Sequence, residues 1–369
     1  MFERRMLKNL DWVLLVAVVL VVAFSLVIIA SATHANLSER DDPYYFVKRQ
    51  TFLFVIGVIG LFFTLAIDYH TIASQATYLY FTNLALLASV LLLGNETKGA
   101  ARWIEIGPFP LQPSEPAKII IIITLANLVA KLIGDINKFS DLFPIFVHVG
   151  IPMLLIMIQP DLGTSLVFIA ILMGVFFIAG IKWQFIFTII GTGVAMVPVL
   201  WGFLKDYQQK RILVFLDPSI DPTGSGYHVI QSMIAIGSGR MTGQGLFAGP
   251  QNQLDFLPEQ HTDFIFSVVG EELGFIGAVF LLVLYFIIIY RGIRIIGQAR
   301  DLLGALIATG IVSLLTFQLL VNVGMTIGIM PVTGLPLPLV SYGGSSLLST
   351  MIGIGLLLNV GMRRQKILF

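Results

Sequence analysis

The residues best suited to chemistry cluster just before a long apolar stretch. His261, Thr262 and Asp263 lead directly into that stretch, which itself contains Glu271 and Glu272. Acidic side chains in a membrane segment are costly and are typically functional. A carboxylate at the membrane boundary can accept a proton from a substrate hydroxyl, so Asp263 is a candidate general base in an active-site mouth that includes both glutamates. The alternative is that Thr262 or Asp263 caps the following helix.

A second charged pair stands at the start of another apolar stretch. Lys118 precedes five consecutive isoleucines, and Glu115 lies three residues before it, on the same helical face. A lysine in this position is costly unless it faces a partner or a wet cavity, which makes it a candidate cation for an anionic ligand. The alternative is a local ion pair in which Lys118 extends toward the interface.

A very short polar turn around Asp161 joins two further apolar stretches. The run is Gln159-Pro160-Asp161-Leu162-Gly163. Asp161 could place a carboxylate beside the same cavity as Asp263. Alternatively, it could cap the helix that begins near Thr164.

The segment from 331 to 346 is rich in proline and glycine. Pro331, Pro336 and Pro338 fall within eight residues, so this segment cannot begin as a regular helix. Non-helical backbone at membrane depth must be buried in protein or line a wet cavity. The sequence therefore predicts a re-entrant segment.

Several other kinds of site fit the sequence poorly. Cys is absent, which excludes disulfides, thiolate metal sites and a cysteine nucleophile. His228 and His261 lack the spacing of zinc ligands. The glycines between 237 and 245 lack the strand and helix context of a nucleotide-binding loop. The net charge of +1, with no long basic run, gives no indication of a nucleic-acid partner.

Membrane helices must position these residues. The chain has 369 residues, of which 57% are hydrophobic and 12% charged, whereas a soluble domain carries roughly a quarter charged residues. A bilayer core of about 30 Å requires a helix of about 20 apolar residues. We predict an all-α integral membrane bundle of about ten helices, forming a single domain over 1–369 with a large extracytoplasmic loop at 204–262. The apolar stretches lie near 12–32, 51–67, 76–94, 116–133, 143–158, 164–180, 183–203, 263–290, 303–329 and 337–361.

The distribution of positive charge predicts the orientation of the bundle. When the stretches alternate sides, one face collects Arg4, Arg5, Lys8, Lys131, Lys138, Lys182, Arg291, Arg294, Arg300, Arg363, Arg364 and Lys366. The positive-inside rule makes that face cytoplasmic, so both termini lie inside and the candidate site faces outward. The first apolar run, of about 20 residues, exceeds the usual core of a cleaved signal peptide and is predicted to remain as an anchor.

Five separated motifs, in order along nearly the whole chain, resemble the SEDS family, named for shape, elongation, division and sporulation. They are Gln112-Pro113-Ser114-Glu115, Gln159-Pro160-Asp161-Leu162-Gly163, Gly226-Tyr227-His228-Val229-Ile230-Gln231-Ser232, His261-Thr262-Asp263-Phe264 and Ser341-Tyr342-Gly343-Gly344-Ser345. Within the family, the run from Asn322-Val323-Gly324-Met325 through Pro336–Ser341, with Gly226-Tyr227-His228, is more similar to the elongation branch than to the division branch. The chain departs from the usual pattern at Gln244, where Lys is common, and at Pro250, where Thr is frequent.

The resemblance implies a peptidoglycan glycosyltransferase that polymerises lipid II at the outer face of the bacterial inner membrane. The implied partners are a class B penicillin-binding protein, acting as transpeptidase, and other elongation-complex proteins. Asp263 matches the essential acid of the family, and Glu115, Lys118 and Asp161 match other positions on which the family depends. The alternatives are a lipid II flippase, a non-enzymatic scaffold of the wall-synthesis complex, or a division-type polymerase of the same family.

The chemistry of that reaction suggests roles for the charged residues. Asp263 would be the general base for the acceptor 4-hydroxyl, with inversion at the donor anomeric carbon. Lys118, Arg102 and Arg211 would provide positive charge for the pyrophosphate leaving group, and His261 would contribute to substrate binding. A divalent cation, Mg²⁺ or Mn²⁺, held by substrate oxygens could assist; no metal site formed by protein side chains is predicted.

Overall fold

In the computed structural model the described residues are 9–34, 42–97, 100–106, 109–136, 138–202, 204–221, 224–257 and 259–364. Of the cations used to predict the orientation, Arg4, Arg5, Lys8 and Lys366 lie outside these ranges.

The chain forms the predicted all-α membrane bundle. Its helices are α1 (Trp12–Ala32), α2 (Tyr45–Ala66), α3 (Tyr69–Ser74), α4 (Ala76–Leu93), α5 (Ser114–Leu132), α6 (Phe143–Ile158), α7 (Leu162–Ile178), α8 (Trp183–Trp201), α9 (Asp206–Leu216), α10 (Ser225–Gly239), α11 (Pro250–Gln253), α12 (Ile265–Gly297), α13 (Leu302–Thr326) and α14 (Gly344–Met362). Each of the ten predicted apolar stretches coincides with one long helix. Within the described ranges, seven helical segments are long and apolar enough to cross a membrane, and α7 and α8 are apolar over shorter lengths.

A small antiparallel sheet interrupts the helices between α4 and α5. Its strands are β1 (Asn95–Thr97), β2 (Ala100–Ile106) and β3 (Phe109–Leu111), in the order β1-β2-β3. The sheet carries Arg102 and Trp103 on its central strand. It therefore fixes the part of the candidate site that comes from the first half of the chain.

The pairing of α1 with α12 shows how the helices match a bilayer. At one end, Asp11 accepts from Leu14 N–H as the α1 N-cap and pairs with Arg291 at 2.6 Å. At the other end, Ser31 Oγ accepts from Phe247 N–H, which also approaches Glu272. Asp11 and Ser31 lie 20 residues apart, or roughly 30 Å along a helix, which is the thickness of the bilayer core.

Helix α12 is broken at Gly274, which has a φ of 64°. The backbone of residues 240–245 crosses the helix there and satisfies the groups that the break exposes. Gln244 and Gly245 N–H donate to the carbonyls of Glu271 and Glu272, while Phe275 and Ile276 N–H donate to the carbonyls of Arg240 and Met241. The glycines of this region therefore allow two backbones to cross closely, and they do not form a nucleotide loop.

Replacing Gly274 with alanine is expected to destabilise the bundle. A side chain at positive φ costs about 1–2 kcal/mol, and the added Cβ would also collide with Gly243 N. Thermal unfolding in detergent should show a lower Tm than the wild type. Gly297→Ala, at a site on the same helix with open space around it, is the control. Equal Tm values for the two variants would contradict this account of the break.

Two segments differ in detail from the predicted layout. Segment 204–262, predicted as an extracytoplasmic loop, contains α9, α10 and α11. The last long helix begins at Gly344 and not near 337, because the prolines keep residues 331–343 non-helical. The non-helical segment packs inside the bundle, where Leu335, Leu337 and Leu339 are buried. It is therefore protected from lipid, as the re-entrant prediction requires.

Candidate active site

A cavity of about 600 Å³ lies where β2, α9, the start of α12 and the non-helical segment meet. Its polar lining includes Arg102, Arg211, His228, Glu259 and Asp263. Three of these residues, Arg102, Arg211 and Asp263, are sequence-predicted site residues. Elements far apart in the chain thus bring one predicted base and two predicted cations to a common space.

Asp263 is not used as a helix cap. Helix α12 begins at Ile265 after the N-cap residue Phe264, so neither Thr262 nor Asp263 occupies the capping position. A Cβ built on Gly334 would lie 3.4 Å from Asp263 Oδ2 and 4.0 Å from Arg211 Nη1. The carboxylate and the guanidinium therefore approach the same small residue in the cavity wall, and Gly334, with a φ of 73°, leaves room for both.

Arg211 is held beside the carboxylate. Burial lowers the pKa of the Arg211 guanidinium, and the neighbouring Asp263 carboxylate opposes that shift. Arg102, which lines the same cavity, lowers this pKa further by charge repulsion. The guanidinium also lies 5.7 Å from the centre of the Tyr207 ring. The cavity lining holds two arginines and two carboxylates, Asp263 and Glu259, so an anionic group would bind on the arginine side.

Arg102 and Tyr207 are both anchored to the turn that contains Asp161. Arg102 donates to the carbonyls of Gln159, at 3.2 Å, and Pro160, while Tyr207 Oη donates to the Pro160 carbonyl at 2.8 Å. These bonds fix β2 and α9 against the start of α7. Because Arg102 and Tyr207 both line the cavity, these bonds also set the separation between the two side chains.

Asp161 itself has the geometry of a helix cap. Its Oδ1 accepts from Thr164 N–H at 3.1 Å and its Oδ2 from Thr164 Oγ1 at 2.9 Å. The side chain is buried and is not among the residues that line the cavity. Its charge nevertheless reaches Arg211, whose pKa it raises. Asp161 therefore caps α7, as the alternative interpretation of the sequence stated, and it acts on the cavity only through its charge.

Glu115 and Lys118 form a buried ion pair at the start of α5. Lys118 Nζ lies 2.8 Å from Glu115 Oε1, and the two residues are 1% and 3% exposed. Lys118 does not extend to the interface, and neither side chain is among the residues lining the cavity. The pair stands one turn below Gln112, whose carbonyl accepts from Glu115 N–H and which does line the cavity.

His261 lines a neighbouring cavity of about 570 Å³ on the side of α2. Its ring packs 5.0 Å from the Phe46 ring and 5.7 Å from the Tyr342 ring. The wall of this second cavity is largely apolar, and Arg49 and His261 are the basic residues in its lining. Trp103, Thr262, Tyr342 and Gly343 line both cavities, so the two spaces adjoin.

Glu271 and Glu272 brace residues 247–252 and are not among the residues that line the cavity. Glu271 accepts from the N–H groups of Gln251, at 2.7 Å, and Asn252, at 3.1 Å. Glu272 accepts from Asn252 Nδ2 at 2.8 Å. The sequence interpretation that placed both acids in the active-site mouth is therefore wrong, because their lone pairs are used to hold residues 247–252.

Tyr207 and Gly334 were not predicted as site residues from the sequence. Tyr207 has no motif around it, whereas Gly334 could have been noticed as a glycine between prolines in a segment that must line a cavity. Across the described residues, no three His, Asp or Glu side chains cluster as metal ligands would.

Comparison with known proteins gives consistent matches over nearly the whole chain. Residues 11–366 match the FtsW, RodA and SpoVE family, described as a cell cycle protein. The chain is 38% identical to the peptidoglycan glycosyltransferase MrdB of Escherichia coli K12, over 97% of this chain and 95% of the relative. It is 40% identical to a probable peptidoglycan glycosyltransferase FtsW of Trichlorobacter lovleyi, over 96% and 93%.

Solved structures are similar as well. A chain of a peptidoglycan synthase complex, studied for the coordination of polymerization and crosslinking, matches with a TM-score of 0.80 and 35% identity, over 95% of this chain and 97% of that chain. The rod shape determining protein RodA of Thermus thermophilus matches with a TM-score of 0.72 and 30% identity, over 97% and 98%.

Proposed function

Because the chain belongs to the FtsW, RodA and SpoVE family, which is also called the SEDS family, and is a peptidoglycan glycosyltransferase, we propose that it polymerises lipid II in the cavity that contains Asp263. The observation that carries this proposal is the approach of the Asp263 carboxylate and the Arg211 guanidinium to Gly334, with Arg102 in the same cavity. Sugar transfer from a lipid pyrophosphate needs both a base and positive charge, and this arrangement offers both.

Asp263 acts as the general base in the proposed mechanism. Its carboxylate takes the proton of the acceptor 4-hydroxyl as that oxygen attacks the anomeric carbon of the donor sugar. The bond between the anomeric carbon and the pyrophosphate oxygen breaks, and its electron pair leaves with undecaprenyl pyrophosphate. Attack from the face opposite the leaving group inverts the anomeric configuration.

Arg211 and Arg102 stabilise the leaving group. Pyrophosphate gains negative charge as its bond to the sugar breaks, and fixed cations already aimed at it lower the energy of that state. The bonds from Arg102 to the 159–160 turn and the cation–π contact between Arg211 and Tyr207 keep both guanidinium groups in place. A divalent cation such as Mg²⁺ or Mn²⁺ would add to this charge while taking substrate oxygens as ligands.

The second cavity accommodates a more apolar part of the lipid-linked substrates. It adjoins the polar cavity through Trp103 and Tyr342 and opens on the α2 side, among Phe46, Leu53 and Ile56. His261 contacts the substrate in this second space. A substrate that joins sugars to a polyprenyl chain requires such a change from polar to apolar lining.

Glu115, Lys118 and Asp161 contribute to substrate binding without touching the substrate in the proposed arrangement. Asp161 acts through its field on Arg211, and the Glu115–Lys118 pair supports the wall at Gln112. The distribution of cations supports a protein of the bacterial inner membrane that has both termini in the cytoplasm and its site facing outward.

The proposed partner is a class B penicillin-binding protein that crosslinks the new glycan during cell elongation, together with other elongation-complex proteins. The likeness to a chain of a peptidoglycan synthase complex supports an assembly of this kind. The runs Asn322–Met325 and Pro336–Ser341 support the elongation branch over the division branch.

Arg211→Gln should lower kcat/KM for lipid II polymerisation by about 100-fold, because the leaving group loses a fixed cation. Lys210→Gln is the matched control, since the neighbouring lysine is exposed and does not line the cavity. The assay is glycan formation from lipid II in detergent with the transpeptidase partner present. Similar rates for the two variants would mean that the cavity charge does not bind the pyrophosphate.

A further inference from the structure

Three consecutive backbone carbonyls, ending with that of Asp263, are each held by a donor from another part of the fold. The His261 carbonyl accepts from Tyr342 N–H at 2.9 Å. The Thr262 carbonyl accepts from Ser341 Oγ at 2.6 Å, and the Asp263 carbonyl accepts from Asn322 Nδ2 at 2.9 Å. Because these residues precede the first turn of α12, their carbonyls depend on such external donors for a fixed orientation.

The same donors tie this backbone to the non-helical segment. Asn322 Nδ2 also donates to the Leu335 carbonyl at 2.8 Å, and Ser341 Oγ also accepts from Leu337 N–H at 2.8 Å. Gly334, which faces the Asp263 carboxylate and Arg211, is the residue next to Leu335. Asn322 and Ser341 therefore set the separation between the carboxylate and the wall opposite it.

Both residues are suited to this role by their burial and their chemistry. Asn322 is fully buried, and Ser341 is 4% exposed. Asn322 uses its amide nitrogen twice, while its Oδ1 has no hydrogen-bond partner among the described residues. Neither side chain belongs to the lining of the two cavities in the described part of the chain. A residue retained for two donated bonds to backbone acts on position and not on substrate.

We infer that Asn322 and Ser341 are positioning residues for Asp263, which hold its carboxylate at the distance from the acceptor hydroxyl that proton transfer requires. This inference rests on the proposed role of Asp263 as general base. A displacement of about 1 Å in a reacting group can lower a rate about 100-fold. Loss of either donor should therefore lower kcat and leave KM nearly unchanged.

The test uses the full-length protein with its transpeptidase partner and lipid II as substrate. Asn322→Leu keeps the size of the side chain and removes both donated bonds. Its expected kcat is about 10- to 100-fold below that of the wild type, with KM within about twofold. Ser341→Ala, which removes the bond to the Thr262 carbonyl, is likewise expected to lower kcat and to leave KM nearly unchanged.

Asn359→Leu is a matched control for folding effects. Asn359 is also fully buried, and its Nδ2 also donates twice, to the carbonyls of Thr64 at 2.6 Å and Ile67 at 2.5 Å. It lies near the C-terminal end of α14, whereas the N-terminal end of that helix adjoins the cavity. It additionally accepts from Arg363. This variant should lower Tm at least as much as Asn322→Leu and leave the kcat of the folded protein unchanged. An equal loss of kcat in both variants would overturn the inference.

A double-variant cycle separates this inference from the role of Asp263 itself. If Asn322 acts through Asp263, adding Asn322→Leu to Asp263→Asn should not lower the residual rate further. A wild-type kcat in Asn322→Leu beside an inactive Asp263→Asn would overturn the positioning role alone. A raised KM with unchanged kcat would also overturn it, since the residue would then contribute to binding.

Discussion

Replacing Asp263 with asparagine is expected to lower kcat for glycan polymerisation by about 10³-fold. The amide has the size of the carboxylate but cannot accept the proton of the acceptor hydroxyl, and general-base catalysis contributes factors of this order. The geometry around Gly334 should persist, because the side-chain volume is unchanged. The measurement is the initial rate of glycan formation from lipid II by folded protein with its partner.

Asp206→Asn is the control for this first prediction. Asp206 is an exposed residue at the start of α9, the helix that also carries Arg211, and it does not line the cavity. It tests whether loss of any carboxylate in this region affects turnover. Wild-type rates in both variants would remove Asp263 from the mechanism.

Replacing Lys118 with methionine is expected to lower the free energy of unfolding by about 3–5 kcal/mol. The change leaves the Glu115 carboxylate buried without its partner at 2.8 Å, and breaking one side of a buried ion pair has a cost of this size. Denaturation of the purified variant in detergent, compared with the wild type, measures the loss.

The double variant Glu115→Gln/Lys118→Met shows whether the pair has a role beyond stability. It removes both charges, so most of the lost stability should return. Recovery of stability without recovery of polymerisation would support the proposed contribution to substrate binding. A single Lys118→Met variant as stable as the wild type would contradict the buried pairing.

The bundle could be predicted from the sequence because seven helical segments are apolar over the length that a bilayer requires, and α7 and α8 are apolar over shorter lengths. The late start of α14 follows from Pro331, Pro336 and Pro338, whose effect on the backbone is local. By contrast, the helices within 204–262 carry weaker apolar patterns. The break at Gly274 depends on a distant segment that crosses it, which no local pattern reveals.

The candidate site was predictable to the extent that charge near a membrane is costly. Asp263 was found in this way, and it lines the central cavity with Arg102 and Arg211. The same reasoning could not separate an acid in a cavity from one that braces a neighbouring segment, as Glu271 and Glu272 do. The separation depends on which backbone N–H groups lie nearby, and that is a property of the folded chain.

The most direct test of the central claim measures lipid II binding and glycan formation separately on the same protein. Wild type and Asp263→Asn, each with the partner present and with enough labelled lipid II for both donor and acceptor to be bound, would be followed for substrate binding and for glycan formation. The proposed mechanism predicts that the variant binds lipid II with nearly wild-type affinity and forms almost no glycan. Glycan formation at the wild-type rate by the variant would show that Asp263 is not the base.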